Sequence, residues 1–405
     1  MRFLSRVSLV LAFLVVVIPA SACAQQPGRS RSTEEYDRIL NIIEQYALDS
    51  VDMYWCGQQI QKRGISACLD KYSEYFTAQD RKRFVPGNYA GIGARVVGEG
   101  EMAITFYPIV GSPADKAGIL QGDTLVKIDS LELSFKSPVT ADDMQAVIAK
   151  VRGPENTSVK LWFLRAGKVI GPFTVVRGTI VINPVSFATL SPTLGYVRLS
   201  EFSENAAQNM DRALDSLKRS GIKKIILDFR GNPGGLLDQA EAVADLFSPD
   251  SGNIKITQRF RGAPDEVSVT TARGPYADMK LVVLVDSGSA SASEMVAGIF
   301  QDWKVATLVG THTFGKGIGQ SLFPLFRGDP DTPFLKLTTF AFLVGNHQVK
   351  ITPTTPLQPD SAVGNDLTDA EKKQLLAELR THNPNNPYLN PKLDKQLAAA
   401  IKLLK

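Results

Sequence analysis

Residues 281–303, LVVLVDSGSASASEMVAGIFQDW, indicate the fold class of this chain. The apolar run at the start predicts a buried strand, and SASEMVAGIFQDW predicts a helix that begins shortly after it. The glycine and serine residues between the two allow a tight turn. A side chain in that turn would lie at the carboxyl edge of a sheet and at the positive end of a helix, where a developing oxyanion is stabilised.

The same alternation continues on both sides of this stretch. KKIILDFRG (223–231) and VATLVG (305–310) predict further buried strands, and LLDQAEAVADLF (236–247) predicts a helix. Such alternation is typical of an α/β core with a substantial parallel sheet, which we place at residues 181–355. The loop NPGG (232–235) is either a plain turn between strand and helix or a source of free backbone N–H groups for a ligand.

Residues 85–180 predict a small β-rich module. Four segments carry that prediction: GNYAGIGARVV (87–97), GSPADKAGILQGDTLVKID (111–129), TADDMQAVIAKVRG (140–153) and SVKLWFLRAG (158–167). Together they resemble a PDZ domain, although an unrelated small β-barrel stays an alternative. The resemblance implies a groove that holds the carboxyl terminus of a peptide, formed by Gly91, Ile92, Gly93, Ala94, Met144 and Ile148.

The N-terminus has the parts of an export signal. A basic start, an apolar run (7–18) and the small-residue motif ASA (20–22) predict a signal peptide at residues 1–22. Cys23 follows directly and resembles the modified cysteine of bacterial lipoproteins, but Ala20 stands where that motif usually has leucine. We therefore expect an exported, periplasmic protein, and a lipid anchor at Cys23 is left open.

Residues 23–84 are predicted to be a polar tether, up to about residue 33, followed by helices. Two cysteines in this region, Cys56 and Cys68, could form a disulfide in an oxidising compartment or stay reduced in a core. In one unbroken helix they would lie about 18 Å apart. A bridge therefore requires a helix break, for which Gly57 or Gly64 is suitable.

The composition argues against several classes of function. The chain has 405 residues and a net charge of +4, without a basic stripe interleaved with aromatic residues, so nucleic-acid binding is not expected. HExxH and Cys/His clusters are missing from the sequence, so we expect no metal and no cofactor. GTHTFGKG (310–317) has the spacing of a P-loop. However, Gly317 stands where a P-loop needs Ser or Thr, and the next residues predict a strand, so nucleotide binding is not expected.

Three serines compete as the reactive residue of the first turn: Ser289, Ser291 and Ser293. From the local pattern alone, Ser291 with Glu294 fits a capping box, so Ser291 could be a helix cap without any catalytic function. The wider sequence favours catalysis. NPGGLL, GSASASE, FGKG and Gln320, in this order and with the PDZ-like module, resemble the carboxyl-terminal processing peptidases over about residues 34–355.

The resemblance implies a crotonase-like protease core and a role for each matching residue. Ser291 would be the nucleophile, Lys316 the general base, Gln320 the residue that orients the lysine, and the backbone N–H groups of Gly235 and Ala292 the oxyanion hole. Lys316 follows Ser291 by 25 positions, as in the family. The implied substrates are polypeptides with exposed carboxyl termini, and a homo-oligomer is left open.

The chemistry of a lysine base agrees with these assignments. Lysine must be neutral to accept a proton, and its ordinary pKa is about 10.4. Burial lowers that pKa, and Phe314 with its flanking glycines suits a poorly solvated site. Gln320 can accept a hydrogen bond from the lysine without adding a negative charge. A histidine base, for which His312 is the candidate, is disfavoured because the sequence has no GxSxG motif.

One segment near the expected substrate cleft does not follow the family pattern closely. Residues 338–360 differ from the family's usual sequence near the substrate cleft, so the preferred side chain at the cleavage site is not carried over. Residues 356–405 are predicted to be a helical tail.

The alternative function is a catalytically inactive, PDZ-containing scaffold that binds peptides. The presence of Ser291, Lys316 and Gln320 together argues against it.

Overall fold

The computed structural model describes residues 31–81, 88–98, 102–109, 111–134, 138–181, 183–329, 332–382 and 386–405. The predicted signal peptide, Cys23 and most of the predicted tether lie outside these residues. Within the described ranges, no helix has both the length and the apolar character that a membrane span requires.

The N-terminal region consists of helices and one short strand. Its elements are α1 (Arg31–Tyr46), α2 (Met53–Arg63), a 3₁₀ turn (Ile65–Cys68), β1 (Glu74–Phe76) and α3 (Ala78–Arg81). Helix α1 therefore includes the last three residues of the predicted tether. Cys56 and Cys68 form a disulfide with a Cα–Cα distance of 5.1 Å. The break that the bridge requires is at Gly64, which ends α2 with a φ of 82°.

The β-rich module follows as predicted. Its strands are β2 (Asn88–Gly91), β3 (Ala94–Val97), β4 (Ile104–Pro108), β5 (Asp123–Ile128), β6 (Leu131–Glu132), β7 (Ser158–Arg165), β8 (Lys168–Val176) and β9 (Gly178–Val181), and its helices are α4 (Pro113–Lys116) and α5 (Ala141–Val151). One sheet has the order β3-β4-β5-β7-β8, so β3 is an edge strand. Strands β2 and β9 pair with each other and bring the two ends of the module together.

The remaining elements belong to the α/β core, with which the predicted tail is grouped here. Its strands are β10 (Val185–Ser191), β11 (Leu194–Leu199), β12 (Lys224–Asp228), β13 (Ile254–Phe260), β14 (Glu266–Val269), β15 (Lys280–Val285), β16 (Ala306–Gly310), β17 (Ile318–Pro324), β18 (Phe334–Val344), β19 (Val349–Lys350) and β20 (Ser361–Ala362). Its helices are α6 (Ala206–Arg219), α7 (Leu237–Asp245), α8 (Ala292–Asp302), α9 (Asp369–Thr381) and α10 (Lys395–Leu403).

The central sheet has the order β10-β11-β12-β15-β16-β20, and it is parallel from β11 onward. Successive residues of a strand face opposite sides. Ile225 and Leu227 therefore pack towards α6, α7 and α8, whereas Ile226 packs towards α10. The predicted tail is consequently part of this core, since it supplies β20 and the helix that covers the second face of the sheet.

A second, antiparallel sheet was not predicted from the sequence. Strand β18 is its centre and pairs with β1, β13, β17 and β19. Leu335 and Leu337 of β18 pack against the N-terminal helices, whereas Phe342 and Val344 pack into the main core. This sheet therefore connects the N-terminal region with the core.

Candidate active site

The turn after β15 holds Ser291 in a conformation that is unusual for a residue other than glycine. Ser291 is the N-cap of α8, with φ 55° and ψ −116°. Such a positive φ is rare for L-residues and often marks a functional turn. Ser291 also forms the predicted capping box with Glu294, whose Oε2 accepts the Ser291 N–H at 2.8 Å. The serine therefore caps the helix and at the same time lies at its positive end.

Burial separates the three candidate serines. The Ser289 hydroxyl is buried and donates to the Phe229 carbonyl at 2.8 Å. The Ser293 hydroxyl is also buried and donates to the Asn232 carbonyl at 2.9 Å. Ser291 is partly exposed. Of the three, Ser291 is thus the one whose side chain is accessible to a ligand.

Asn232 joins the NPGG loop to the serine turn. Its side chain donates to the Leu199 carbonyl and accepts from the Gly234 N–H, both at 2.9 Å. Its carbonyl accepts from the Ala290 N–H at 3.0 Å and from the hydroxyl of Ser293. Because Asn232 is fully buried, these bonds fix the relative position of the two loops.

The two glycines of the NPGG loop allow a close approach of backbone to the serine turn. Gly234 and Gly235 have φ of 104° and 144°. A Cβ at Gly234 would lie 2.8 Å from the Ser291 Cβ and 2.9 Å from the Ala292 nitrogen, and one at Gly235 would collide with the Phe202 carbonyl. Neither the Gly235 N–H nor the Ala292 N–H has a hydrogen-bond acceptor among the described residues. The loops thus present two free donors beside Ser291.

Glu294 is a functional candidate that sequence reasoning treated only as half of a capping box. Its carboxylate is fully buried and accepts four hydrogen bonds. The donors are the N–H groups of Ser291 (2.8 Å), Gly315 (2.6 Å) and Lys316 (2.8 Å) and the Thr313 hydroxyl (2.5 Å). One carboxylate therefore holds the Ser291 turn and the Lys316 loop together.

Lys316 lies in the glycine-rich loop two residues before β17, so it does not open a helix as a P-loop lysine would. Its Nζ donates to Gln320 Oε1 at 3.1 Å and lies 5.0 Å from the centre of the Tyr72 ring. Burial lowers the pKa of Lys316, and repulsion from Lys336 lowers it further, while weaker attraction to Glu294 and Asp70 opposes the shift.

The histidines have other surroundings. His312 is exposed, and its Nδ1 is paired with the neighbouring Thr313 carbonyl at 2.9 Å. His347 Nδ1 lies 2.7 Å from Asp302 Oδ1, and His382 Nε2 contacts the Asn386 carbonyl at 3.1 Å. None of these contacts includes Ser291.

Comparison with known proteins identifies the family. The family model for peptidase family S41 matches residues 193–363, and the PDZ domain model matches residues 107–165. A carboxy-terminal-processing protease of Bartonella bacilliformis is 32% identical over 371 residues, which cover 84% of this chain and 81% of the relative. The chain belongs to the carboxy-terminal processing proteases of peptidase family S41. Carboxy-terminal processing protease CtpA of Bacillus subtilis is 28% identical over 400 residues, 96% of this chain and 82% of that protein.

Solved structures agree with the fold of this processing protease. The photosystem II D1 C-terminal processing protease aligns with a TM-score of 0.52 at 21% identity, over 88% of this chain and 99% of that one. A putative S41 protease from Bacteroides fragilis aligns with a TM-score of 0.57 at 16% identity, over 90% and 96% of the two chains. The predicted family and fold class, an α/β protease core with a PDZ domain, are thereby confirmed. The domain limits given above stay predictions.

The residues predicted to hold a peptide terminus lie around β3 and α5 of the PDZ domain. Among the described strands, β3 pairs with β4 alone and lies at the end of the sheet. Met144 and Ile148 are half-buried on α5, and Gly93 has a φ of 70° in the loop before β3. The side chain of Ile92 is buried in the domain core, so only its backbone is available to a ligand.

Proposed function

We propose that this protease is a serine endopeptidase with a Ser291/Lys316 dyad. The observation that carries the proposal is the setting of Lys316, a half-buried amine whose hydrogen-bond partner is the neutral amide of Gln320. A carboxylate in that place would favour the charged lysine, which cannot accept a proton. The shared anchor at Glu294 supports the pairing of this amine with Ser291.

In the proposed reaction, Ser291 Oγ attacks the carbonyl carbon of the scissile peptide bond while its proton passes to the neutral Lys316 Nζ. The N–H groups of Gly235 and Ala292 stabilise the oxyanion of the tetrahedral intermediate. The lysine then returns the proton to the leaving amine, which leaves an acyl-enzyme on Ser291. A water molecule, deprotonated by Lys316, releases the acyl group by the same route in reverse.

Labelling with a fluorophosphonate tests this assignment directly. Ser291 should displace fluoride from the probe and form a covalent adduct, which tryptic mass mapping would locate on the peptide that contains Ser291. The Ser291→Ala and Lys316→Ala variants should not react, because the nucleophile or its base is lost. A wild-type protein that is folded, shown by circular dichroism, and yet stays unlabelled would favour the inactive peptide-binding scaffold.

We further propose that the PDZ domain selects substrates by their free carboxyl termini. The position of β3 at the end of the described sheet and the loop at Gly93 support this reading. A peptide with a free carboxylate should be cleaved at least about tenfold more efficiently, in kcat/KM, than the same peptide with a C-terminal amide, since a lost charge-assisted hydrogen bond costs roughly 1.5–3 kcal/mol. Equal values for the two peptides would exclude recognition of the terminus. The matched peptides avoid a change at Gly93, where any side chain would collide with Ser112.

We also propose that the protein is exported to the periplasm. The signal-like residues 1–22 support this location, as does the Cys56–Cys68 disulfide, because such bridges persist in oxidising compartments. A lipid on Cys23 and assembly into a homo-oligomer are left open. Intact mass of the mature protein would decide between removal of residues 1–22 alone and addition of a lipid.

A further inference from the structure

A chain of hydrogen bonds leads from Lys316 through the core to the N-terminal region. Lys316 Nζ donates to Gln320 Oε1 at 3.1 Å, and Gln320 Nε2 donates to the Thr338 hydroxyl at 3.2 Å. The Thr338 hydroxyl in turn donates to Asp70 Oδ1 at 3.1 Å. Thr338 lies on β18, and Asp70 lies just before β1, which pairs with β18.

The direction of these bonds is set at the Asp70 end. A carboxylate can only accept, so the single hydroxyl proton of Thr338 is directed towards Asp70. The hydroxyl oxygen then accepts from Gln320, which must present its NH₂ group to Thr338 and its carbonyl oxygen to Lys316. The reverse orientation of the amide would direct an N–H donor at the lysine. That donor would occupy the lone pair that must take the proton from Ser291.

Asp70 is itself fixed by its own segment. Its Oδ1 accepts from the N–H groups of Tyr72 at 2.8 Å and Ser73 at 3.2 Å. The Ser73 hydroxyl bonds to Asp70 Oδ2 and accepts the Thr338 N–H at 2.9 Å. Pairing of Glu74 with Lys336, in the register of β1 against β18, holds the segment in place.

We propose that Thr338, held by Asp70, is a positioning residue that keeps the carbonyl of Gln320 turned towards Lys316. The inference rests on the proposed dyad. It assigns a function to residues 70–76 as well: this segment of the N-terminal region completes the catalytic arrangement, although it lies about 220 residues before Ser291 in the sequence. Tyr72, which covers Lys316 Nζ, belongs to the same segment.

Three variants of β18 test the inference. Thr338→Val removes the hydroxyl with little change in shape, Thr338→Ser restores it, and Thr339→Val is the matched control. Thr339 is as buried as Thr338, 3% against 6% exposed, but its hydroxyl pairs with Ser321 at 2.7 Å, outside the chain of bonds. Steady-state cleavage of a peptide would be measured for each variant as a function of pH.

We expect Thr338→Val to lower kcat by about 10- to 100-fold with KM within about twofold, because a misdirected base slows the chemical step. Its pH limb should move to lower pH, since an N–H aimed at the lysine favours the neutral amine. Thr338→Ser and Thr339→Val should stay within about threefold of wild type in kcat, with an unchanged limb. Wild-type kcat in Thr338→Val, or an equal loss in Thr339→Val, would overturn the inference.

The pKa of Lys316, which can be measured without enzyme activity, tests this inference separately from the proposed dyad. The pKa of Lys316 can be measured by NMR of ¹³Cε-labelled lysine in full-length protein that carries Ser291→Ala. Addition of Thr338→Val should lower that pKa, and addition of Thr339→Val should leave it unchanged. An unchanged pKa in the Thr338→Val protein overturns the inference. Wild-type protein that neither cleaves peptides nor reacts with a fluorophosphonate overturns the dyad, whatever the pKa measurement gives.

Discussion

Ser291→Ala should abolish peptide cleavage and leave the protein folded. Loss of the nucleophile of such a dyad typically lowers kcat by roughly a thousandfold or more. The substitution also removes one cap of α8, which costs about 1 kcal/mol of unfolding free energy. The first effect is on the rate of cleavage and the second is on the stability of the fold. A serine that is only a helix cap would show the small loss of stability and keep its activity. Peptide cleavage and urea denaturation of the same preparation distinguish the two cases.

Ser293→Ala is the matched control for this experiment. Ser293 lies two positions further along, at the start of α8, and its hydroxyl is buried and donates to the Asn232 carbonyl. We expect this variant to lose about 1 kcal/mol of stability and to keep most of its activity. Full activity of a folded Ser291→Ala protein would refute the assignment of the nucleophile, and loss of activity in Ser293→Ala alone would transfer it to Ser293.

Lys316→Arg should be as inactive as Lys316→Ala, with a loss of roughly a thousandfold or more in kcat. Arginine keeps the positive charge at nearly the same reach, but its pKa is above 12 and it does not lose its proton in a protein. A lysine that only stabilises an anion could be replaced in part by arginine. A lysine that accepts the proton of Ser291 cannot be replaced by arginine. The measurement is peptide cleavage by the two variants at several pH values.

The pH dependence of the wild-type protein is linked to the same residue. In the proposed dyad only a neutral Lys316 can accept the proton, so kcat/KM should rise with pH along a single limb. Since burial and Lys336 lower the pKa of Lys316, the midpoint of that limb should lie below the ordinary lysine value. His312→Ala should keep this limb and most of the activity. An inactive His312→Ala protein together with an active Lys316→Arg protein would show that histidine is the base.

Much of the fold could be predicted from the sequence because its signals are local. The strand and helix on either side of Ser291, the glycine loop and the capped helix α5 each depend on residues within one short stretch. The second sheet could not be predicted, because its central strand β18 pairs with β1, more than 250 residues away, and has no single alternation of polar and apolar residues.

The difference between local and long-range signals also applies to the candidate site. Local patterns left three serines, and the resemblance to the processing peptidases points to Ser291. In the structure Ser289 and Ser293 are buried, whereas Ser291 is partly exposed. Glu294 was recognised as a cap, but its bonds to the Lys316 loop depend on the folding of the chain around α8. The contact between Asp70 and Thr338 joins two regions 268 positions apart, so no spacing rule indicates it.

The carboxylate of Glu294 is an anchor that both loops of the candidate site share. If the Lys316 loop moves away, a fully buried carboxylate loses the N–H groups of Gly315 and Lys316, and each unsatisfied bond of this kind costs roughly 1–3 kcal/mol. Displacement of the Lys316 loop alone is therefore disfavoured by roughly 2–6 kcal/mol from these two bonds together. The same carboxylate also accepts the Ser291 N–H, so one buried side chain resists displacement of the serine turn as well as of the lysine loop.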